Sequence, residues 1–147
     1  MEREIKIFEV NEARTEYAEA INRLLPQLSS TPHALNVEQL RQLISHSGTH
    51  LFLLQADEVI GAMLTLCVTH CPTGCKMWIE DVVVDKSLRG QSLGRMIVEH
   101  ALEYARRQGN ATVMLTSRPS RIEANALYRS TGFTQRDTNV YKQKVYS

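Results

Sequence analysis

The chain has 147 residues, of which 43% are hydrophobic and 22% charged, and its formal net charge is +1. This length suits one domain with a real core, and the composition argues against disorder. The near-zero charge gives no electrostatic case for nucleic acid, and no apolar run approaches the roughly 20 residues that cross a bilayer. No signal pattern opens the chain, and three cysteines do not suggest a disulfide framework, so a cytoplasmic protein is expected.

The first half of the chain predicts a strand, two helices and an antiparallel meander. Ile5 to Val10 alternates as a strand does, and Asn11 is the expected N-cap of a helix that follows apolar spacing as far as Leu28. Asn36 is expected to cap a second helix, which Gly48 stops. The three strands of the meander are predicted at His50–Gln55, Val59–Val68 and Lys76–Val84, with turns at Ala56–Glu58 and Cys71–Cys75.

The second half predicts two helices that alternate with strands. The expected elements are a helix from near Ser92 to Gln108, a strand Thr112–Thr116, a helix Ile122–Ser130, and a last strand pair at Phe133–Arg136 and Val140–Val145. A strand, a helical crossover and another strand make a parallel unit, whereas strands joined by short turns are antiparallel. The prediction is an α/β fold of the α+β mixed-sheet type, with about seven strands, helices on both faces, and one domain over residues 1–147.

A strand, a basic glycine-bearing loop and a helix N-terminus follow one another between Val82 and Arg95. The run Val82-Val83-Val84 lacks alternation, as expected of a central strand covered on both faces. The loop Arg89–Gly94 opens into the helix, whose first amides are free to bind an anion with help from the helix dipole. A phosphate or pyrophosphate group is therefore expected to bind here.

Two segments resemble the landmarks of the GNAT superfamily of N-acetyltransferases. The loop Arg89-Gly90-Gln91-Ser92-Leu93-Gly94 is similar to the acetyl-CoA signature, in which Arg or Gln precedes two glycines, the first of which is Ser92 here. The segment Ala124–Tyr128 with Gly132-Phe133 resembles the second landmark, a helix that carries Asn and Tyr and ends in Gly-Phe. A serine at a helix start is expected to cap the turn or to donate its hydroxyl to phosphate.

The resemblance implies acetyl-CoA as co-substrate and assigns residues to it. Backbone amides from about Gln91 to Arg95 would hold the pyrophosphate, with charge from Arg89 or Arg95. The pantetheine arm would pair with the fourth strand and splay it from the fifth. The implied cofactor-binding residues are Val82, Val83, Val84, Arg89, Gly90, Gln91, Ser92, Leu93, Gly94, Arg95, Asn125 and Tyr128.

The resemblance also implies a base and an acid for acyl transfer to an amine. Tyr128 is expected to protonate the leaving thiolate. Glu80 is the first candidate base, alone or through water, since it lies two residues before Val82 and so faces the same side of a regular strand. Asp81 is the second choice, because it points to the opposite face unless a bulge exchanges the two. Glu80, Asp81 and Arg118 are the predicted substrate-binding residues.

Other polar clusters have simpler interpretations. Cys67, His70, Cys71 and Cys75 lie within nine residues, but their spacing is not that of a known zinc site, so no metal is expected. A disulfide between Cys71 and Cys75 is equally unexpected in a reducing compartment. Arg118 and Arg121 are either anion ligands or part of a solvated loop.

The predicted function is N-acetylation of a small-molecule amine by direct attack in a ternary complex. The segment Ile79–Asp85, with the Arg89-Gly90 loop after it, resembles the small-molecule branches of the family, such as those acting on glucosamine 6-phosphate, aminoalkylphosphonates and aminoglycosides. The alternatives are a protein N-terminal or lysine acetyltransferase and a non-catalytic acyl-CoA sensor, which the presence of both Tyr128 and Glu80 disfavours. A nucleotide-binding fold is rejected because no Gly-Lys-Ser/Thr signature follows the loop. A homodimer, joined through the final strand, is left open.

Overall fold

The computed structural model describes residues 3–30 and 33–147. The chain divides into two compact units, Met1–Thr116 and Ser117–Ser147. Among the described residues, no helix is both long enough and apolar enough to cross a membrane.

The first unit is built on a five-stranded mixed sheet in the order β1-β2-β3-β4-β5. Strands β1 to β4 pair antiparallel, and β5 pairs parallel to β4, as the crossover rule predicts. The mixed sheet expected from the sequence is therefore confirmed. The strands are β1 Ile5–Glu9, β2 Thr49–Ala56, β3 Val59–Cys71, β4 Gly74–Val84 and β5 Thr112–Met114.

Helices cover both faces of this sheet. Along β2, Leu51 and Leu53 join a buried cluster with α1 (Thr15–Leu24) and α2 (Val37–Ser45). The intervening Phe52 points the other way, where its ring meets His100 and Tyr104 of α3 (Leu93–Arg107). Side chains that alternate along each strand thus point either to the sheet face covered by α1 and α2 or to the face covered by α3.

The two early helices begin differently from each other. Asn36 caps α2 as predicted, since its side chain accepts from the Gln39 amide while Gln39 reaches back to the Asn36 amide. Asn11 does not cap α1, which was the prediction; Arg14 is the N-cap residue, with extended backbone and no side-chain cap bond. The reason is local: Ala13 packs against the α1/α2 core, and the chain between β1 and α1 stays non-helical to place it there.

Gly48 serves packing rather than helix termination. The helix α2 ends at Ser45, three residues earlier. The Gly48 carbonyl accepts from the Val68 amide at 2.7 Å, and a Cβ on Gly48 would stand 2.7 Å from the Val68 carbonyl oxygen. The end of β3 therefore approaches the chain too closely for any side chain at position 48.

The second unit contains α4 (Ile122–Ser130), whose bounds match the sequence prediction. The two strands predicted at Phe133–Arg136 and Val140–Val145 are wrong, since the described residues after Gly132 contain no strand. Alternation alone cannot make a strand without a hydrogen-bonding neighbour, and Val140 and Val145 are 74% and 88% exposed. The described chain has five strands rather than about seven.

Candidate active site

Strand β4 contains a β-bulge at the predicted catalytic segment. Val83 pairs with Met63, and Glu80 pairs with Thr65. Two residues of β4, Asp81 and Val82, therefore lie opposite one residue of β3, Leu64. Asp81 has a left-handed backbone with φ +52°, which aspartate tolerates better than most residues. The extra residue shifts the alternation of side chains by one along the rest of the strand.

The bulge changes which side chains share a face. Directly opposed residues point to the same side of a sheet. Glu80 therefore points to the same side as Thr65, and Val83 points to the same side as Met63. Met63 and Val83 belong to the α1/α2 core cluster. The expectation that Glu80 faces the same side as Val82 is therefore wrong, because it assumed a regular strand; Glu80 shares its face with Val83.

Glu80 lies on the α1/α2 face and forms, with the adjacent Asp81, a small acidic group on β4. Trp78 and its cross-strand partner Cys67 lie on the same face, one pair farther along the hairpin. Burial raises the pKa of Glu80, and the negative charge of Asp81 raises it further. Burial also raises the pKa of the Cys67 thiol, with smaller contributions from Glu80 and Asp81. Burial, helped by both carboxylates, thus raises the pKa of Cys67 and favours its thiol form.

The two carboxylates lack a cationic partner among the residues that the structure describes. The ion pairs between described residues involve other acids, which lie on helices, in turns and loops or at the end of β1. Glu80 and Asp81 are both exposed. This surface of β4 therefore carries uncompensated negative charge that favours a cationic group.

The other edge of β4 is open beyond Trp78. Pairing with β5 is confined to Lys76–Thr112, Met77–Val113 and Trp78–Met114. From Ile79 to Val84, no described strand lies on that side of β4. Backbone groups along this stretch are available to a ligand that runs along the strand as an added neighbour would.

A short ordered turn leads from β4 into the predicted anion-binding loop. Asp85 caps a 3₁₀ turn over Lys86–Leu88 by accepting from the Ser87 amide at 3.0 Å. The Asp85 amide donates to the Gly61 carbonyl at 2.8 Å, and Gln27 accepts from the Lys86 amide at 2.8 Å. The loop therefore leaves the sheet from a fixed position.

The loop reaches α3 through two left-handed residues. Gly90 has φ +81° and Ser92 has φ +63° with ψ +17°. Of the two alternatives for Ser92, capping of the turn is wrong, since Ser92 is the N-cap residue of α3 but makes no side-chain cap bond; donation of its hydroxyl to phosphate stays a prediction. A capping side chain needs extended backbone at its own residue, and the left-handed conformation aims the hydroxyl elsewhere.

The first turn of α3 offers amides without competing acids. Leu93, Gly94 and Arg95 precede the first intrahelical bond, from the Met96 amide to the Ser92 carbonyl at 3.1 Å, and no acidic residue lies in this turn. The side chain of Leu93 is buried, so only its backbone faces the loop. The Arg95 guanidinium contacts Glu99 at 3.1 Å, whereas Arg89 is exposed in the loop.

The second unit holds the predicted acid on α4. Tyr128 is 7% exposed, and burial raises its pKa while nearby Arg121 opposes the shift. Its ring meets Phe133 edge-on at 6.0 Å between centroids, and the Phe133 amide donates to the Tyr128 carbonyl. Its hydroxyl makes no hydrogen bond to any described residue. The phenol is thus a protonated donor with a free hydroxyl group.

Asn125 is engaged within the second unit. Its Nδ2 donates to the Arg118 carbonyl at 2.9 Å, so the amide ties the loop before α4 to the helix. Arg118 itself is exposed. The neighbouring Ser117 hydroxyl is buried and has no hydrogen-bond partner among the described residues. Sequence reasoning missed Ser117, because burial of a loop serine has no local sequence signal.

The cysteines lie as separate thiols. All three are free, and Cys71 pairs with Gly74 whereas Cys75 pairs with His70, so Cys71 and Cys75 point to opposite faces of the hairpin. Among the described residues, no group of three or more His, Cys, Asp or Glu side chains could hold a metal ion.

Comparison with known proteins gives a family match over most of the chain. The model of the Acetyltransferase (GNAT) family matches residues 11–133. The glucosamine 6-phosphate N-acetyltransferase 1 of Oryza sativa subsp. japonica is 30% identical over 129 residues, which are 80% of this chain and 74% of that protein. The ribosomal protein bS18-alanine N-acetyltransferase of Escherichia coli K12 is 38% identical over 55 residues, 37% of each chain.

Solved structures share the fold. An aminoglycoside acetyltransferase from an uncultured soil metagenomic sample, in complex with sisomicin, superposes with a TM-score of 0.83 at 18% identity and covers 97% of each chain. The glucosamine-6-phosphate N-acetyltransferase of Arabidopsis thaliana superposes with a TM-score of 0.80 at 21% identity, covering 95% of this chain and 98% of that one. At these identities the likeness is one of fold alone.

Proposed function

From the premise that this chain belongs to the GNAT family of acetyltransferases, we propose that it transfers acetyl from acetyl-CoA to a primary amine of a small molecule. The observation that carries the proposal is the bulge of β4. It presents Glu80 on one face of a strand whose far edge is open and whose end leads into an anion-binding loop.

The cofactor site extends from β4 to the start of α3. The amides of Leu93, Gly94 and Arg95 suit the pyrophosphate, since an anion there meets the helix dipole and no acidic side chain. Arg89, Gly90, Gln91 and Ser92 complete the loop around it. The open edge of Val82–Val84 suits the pantetheine amides, and β4 and β5 would splay there. Acetyl-CoA supplies the activated thioester.

Glu80 is the base in this proposal, directly or through a water molecule. Its raised pKa makes it a stronger proton acceptor than an ordinary surface glutamate, and it lies beside a surface that attracts ammonium groups. Asp81 remains the second candidate, since the bulge gives it a distinct backbone conformation and its charge acts on Glu80. The protonated Cys67 thiol favours direct attack by the amine over a covalent acyl-cysteine.

Tyr128 is the acid that protonates the departing thiolate. Burial raises its pKa, so the phenol keeps its proton at neutral pH, and its hydroxyl has no competing partner among the described residues. In this proposal Asn125 supports the cofactor site through the Arg118 carbonyl and the loop before α4.

The acidic group on β4 favours a positively charged acceptor. A phosphorylated amine would bring like charge toward Glu80 and Asp81, whereas an amine with further ammonium groups would be attracted. Among the substrates named for relatives, an aminoglycoside suits this surface better than glucosamine 6-phosphate. Arg118 remains the proposed contact for an anionic group. A protein acceptor is the alternative, supported by the partial match to a ribosomal-protein acetyltransferase.

The proposal is tested by titration calorimetry with acetyl-CoA, followed by a free-thiol release assay over a panel of amines. The panel contains aminoglycosides, polyamines, amino sugars with and without phosphate, and peptides. Binding with amine-dependent thiol release establishes the enzyme, and preference for polycationic amines supports the acceptor class. Binding without turnover on any amine of the panel contradicts the catalytic proposal and favours a sensor.

A matched pair of variants tests the acid. Tyr128→Phe removes only the hydroxyl, so turnover should fall about 100-fold while acetyl-CoA binding stays within about twofold. Tyr17→Phe is the control, since Tyr17 lies on α1 against Phe8 and has no part in the proposed mechanism. Equal turnover in the two variants would remove Tyr128 from the mechanism.

We also propose a homodimer formed through the last residues of the chain. Val140, Tyr141, Val145 and Tyr146 are between 74% and 88% exposed, and this chain alone does not bury them. Exposed large apolar groups this close together are typical of an interaction surface. Light scattering should give twice the monomer mass for the full chain and the monomer mass after removal of residues 138–147. A monomeric full chain would refute the dimer.

A further inference from the structure

Gly61 of β3 leaves room for a side chain of the turn that precedes the predicted anion-binding loop. A Cβ on Gly61 would stand 2.3 Å from Leu88 Cδ1 and 3.7 Å from Leu88 Cγ. The end of the Leu88 side chain therefore occupies the space that any side chain at position 61 would need. Leu88 is half-buried there, whereas the next two residues, Arg89 and Gly90, are exposed.

The backbone of Gly61 holds the same turn at its other end. The pairing of β3 with β2 shifts by one residue at Leu54/Gln55, and Gly61 is the residue of β3 left without a partner on β2. Its carbonyl accepts from the Asp85 amide at 2.8 Å. Gly61 thus fixes the start of the turn through a hydrogen bond and the end of the turn through its contact with Leu88.

A second leucine fixes the far end of the loop. Leu93, the first residue of α3, is 3% exposed. The four residues between the two leucines, 89–92, are all exposed, and two of them, Gly90 and Ser92, have left-handed backbone. A segment this short follows any movement of its ends, because its reach is limited. The conformation of the loop therefore depends on both leucines.

We propose that Leu88, seated against Gly61, is a positioning residue that holds the anion-binding loop in its binding conformation before acyl-CoA arrives. This inference rests on the proposed function, which assigns the loop to the pyrophosphate. An ordered loop binds more tightly, because the conformational entropy of ordering is lost on folding and not on binding. Fixing the backbone of one residue costs about as much free energy as a tenfold change in affinity. Loss of the Leu88 contact should therefore weaken acyl-CoA binding about tenfold.

The first test compares Leu88→Ala with the control Leu35→Ala, which removes the same atoms from another half-buried leucine, packed against the α1/α2 core. Both variants should lower the melting temperature by about 3–8 °C. Only Leu88→Ala should weaken acetyl-CoA binding, about tenfold by calorimetry well below the melting temperatures. Its KM for acetyl-CoA should rise by the same factor, with kcat within about twofold. Equal affinity in the two variants would make Leu88 a merely structural residue and overturn the inference.

A double-mutant cycle shows whether the two residues act through one contact. Gly61→Ala places a methyl group beside Leu88 Cδ1, displaces that side chain and should also weaken binding about tenfold. In Gly61→Ala/Leu88→Ala the methyl group has room, so the loss should stay at about tenfold. Losses that multiply to about a hundredfold would show independent effects and contradict the proposal.

Hydrogen exchange tests the order of the turn without any ligand. The amides of Asp85, Lys86, Ser87 and Leu88 are all hydrogen-bonded. Their exchange should be faster in Leu88→Ala than in wild type and unchanged in Leu35→Ala. Unchanged exchange in Leu88→Ala would overturn the inference. Absence of acetyl-CoA binding to the wild-type protein would instead refute the proposed function.

Discussion

Arg23 Nη1 lies 2.8 Å from Asp85 Oδ2, and Nη2 of the same guanidinium donates to the Ile60 carbonyl at 2.6 Å. One side chain on α1 thereby holds both the start of β3 and the turn that follows β4. Asp85 is only 14% exposed and also caps that turn through Ser87. The position of the predicted anion-binding loop thus depends on an ion pair at the residue that directly follows β4.

This ion pair makes the free energy of unfolding depend on pH. The Ser87 amide, followed by the Ser87 hydroxyl and Arg23, lowers the pKa of Asp85 against the opposing effect of burial. A carboxyl whose folded pKa lies below its unfolded pKa stabilises the protein above the unfolded value of about 4 and loses this contribution as the pH falls. Asp85→Asn should therefore cost about 1–2 kcal/mol at neutral pH.

Urea unfolding at about pH 7 and about pH 3 measures this effect. The difference between wild type and Asp85→Asn should shrink at the lower pH, because the unfolded wild-type chain then binds a proton at Asp85 that the native ion pair must give up. Asparagine can still accept from the Ser87 amide, which isolates the charge from the cap. A difference that is the same at both pH values would assign the loss to packing instead.

Replacement of Ser92 by glycine is expected to stabilise the protein. Its left-handed backbone costs a residue with a Cβ about 1–2 kcal/mol, which exceeds the entropic penalty of glycine. Ser92→Gly should raise the free energy of unfolding by about 0.5–1 kcal/mol, measured in urea. Ser92→Ala keeps the strain and removes the hydroxyl, so its acetyl-CoA affinity reports the hydroxyl alone. A less stable glycine variant would contradict the strain argument.

Regular elements were predictable from local patterns, and local irregularities were not. The bounds of α4 and the capping box at Asn36 follow from spacing and side-chain chemistry within a few residues. The bulge at Asp81 depends on how β4 pairs with β3, which single-strand alternation cannot show. The family resemblance supplied Glu80 and Tyr128 as candidates, but only strand register identifies the face that Glu80 occupies.

The end of the chain shows the same limit. The alternation around Val140 predicted a strand, because strand-forming residues are recognised without reference to a neighbour. In the single chain those residues stay exposed and do not pair with another strand. The alternation therefore identifies residues that could pair as a strand, but it does not identify the strand with which they would pair.

Gly48 should be among the least replaceable residues of the first unit. A Cβ there would approach the Val68 carbonyl oxygen to 2.7 Å, and backbone cannot move aside as a side-chain end can. Gly48→Ala should destabilise the protein by about 2–3 kcal/mol in thermal or urea unfolding. Gly74→Ala is the comparison, since its Cβ meets open space and only its φ of +119° is unfavourable. An equal or larger loss at Gly74 would contradict the close approach.

The raised pKa of Glu80 predicts the pH dependence of catalysis. A base must be deprotonated to act, so kcat/KM should fall as the pH drops through the pKa of Glu80, which burial and Asp81 raise. Asp81→Asn removes the negative charge that contributes to this shift, while asparagine tolerates the left-handed backbone. The acidic limb of the profile should move to lower pH in this variant.

Glu80→Gln completes the test by removing the titrating group. Turnover should fall about 100-fold and lose the acidic limb, with acetyl-CoA affinity unchanged. If Asp81 is the base, Asp81→Asn shows that loss of turnover instead and Glu80→Gln does not. A limb that survives both substitutions would assign it to the amine of the acceptor, whose own deprotonation precedes attack. In that case neither carboxylate is the base, and the acidic group serves only to bind the cation.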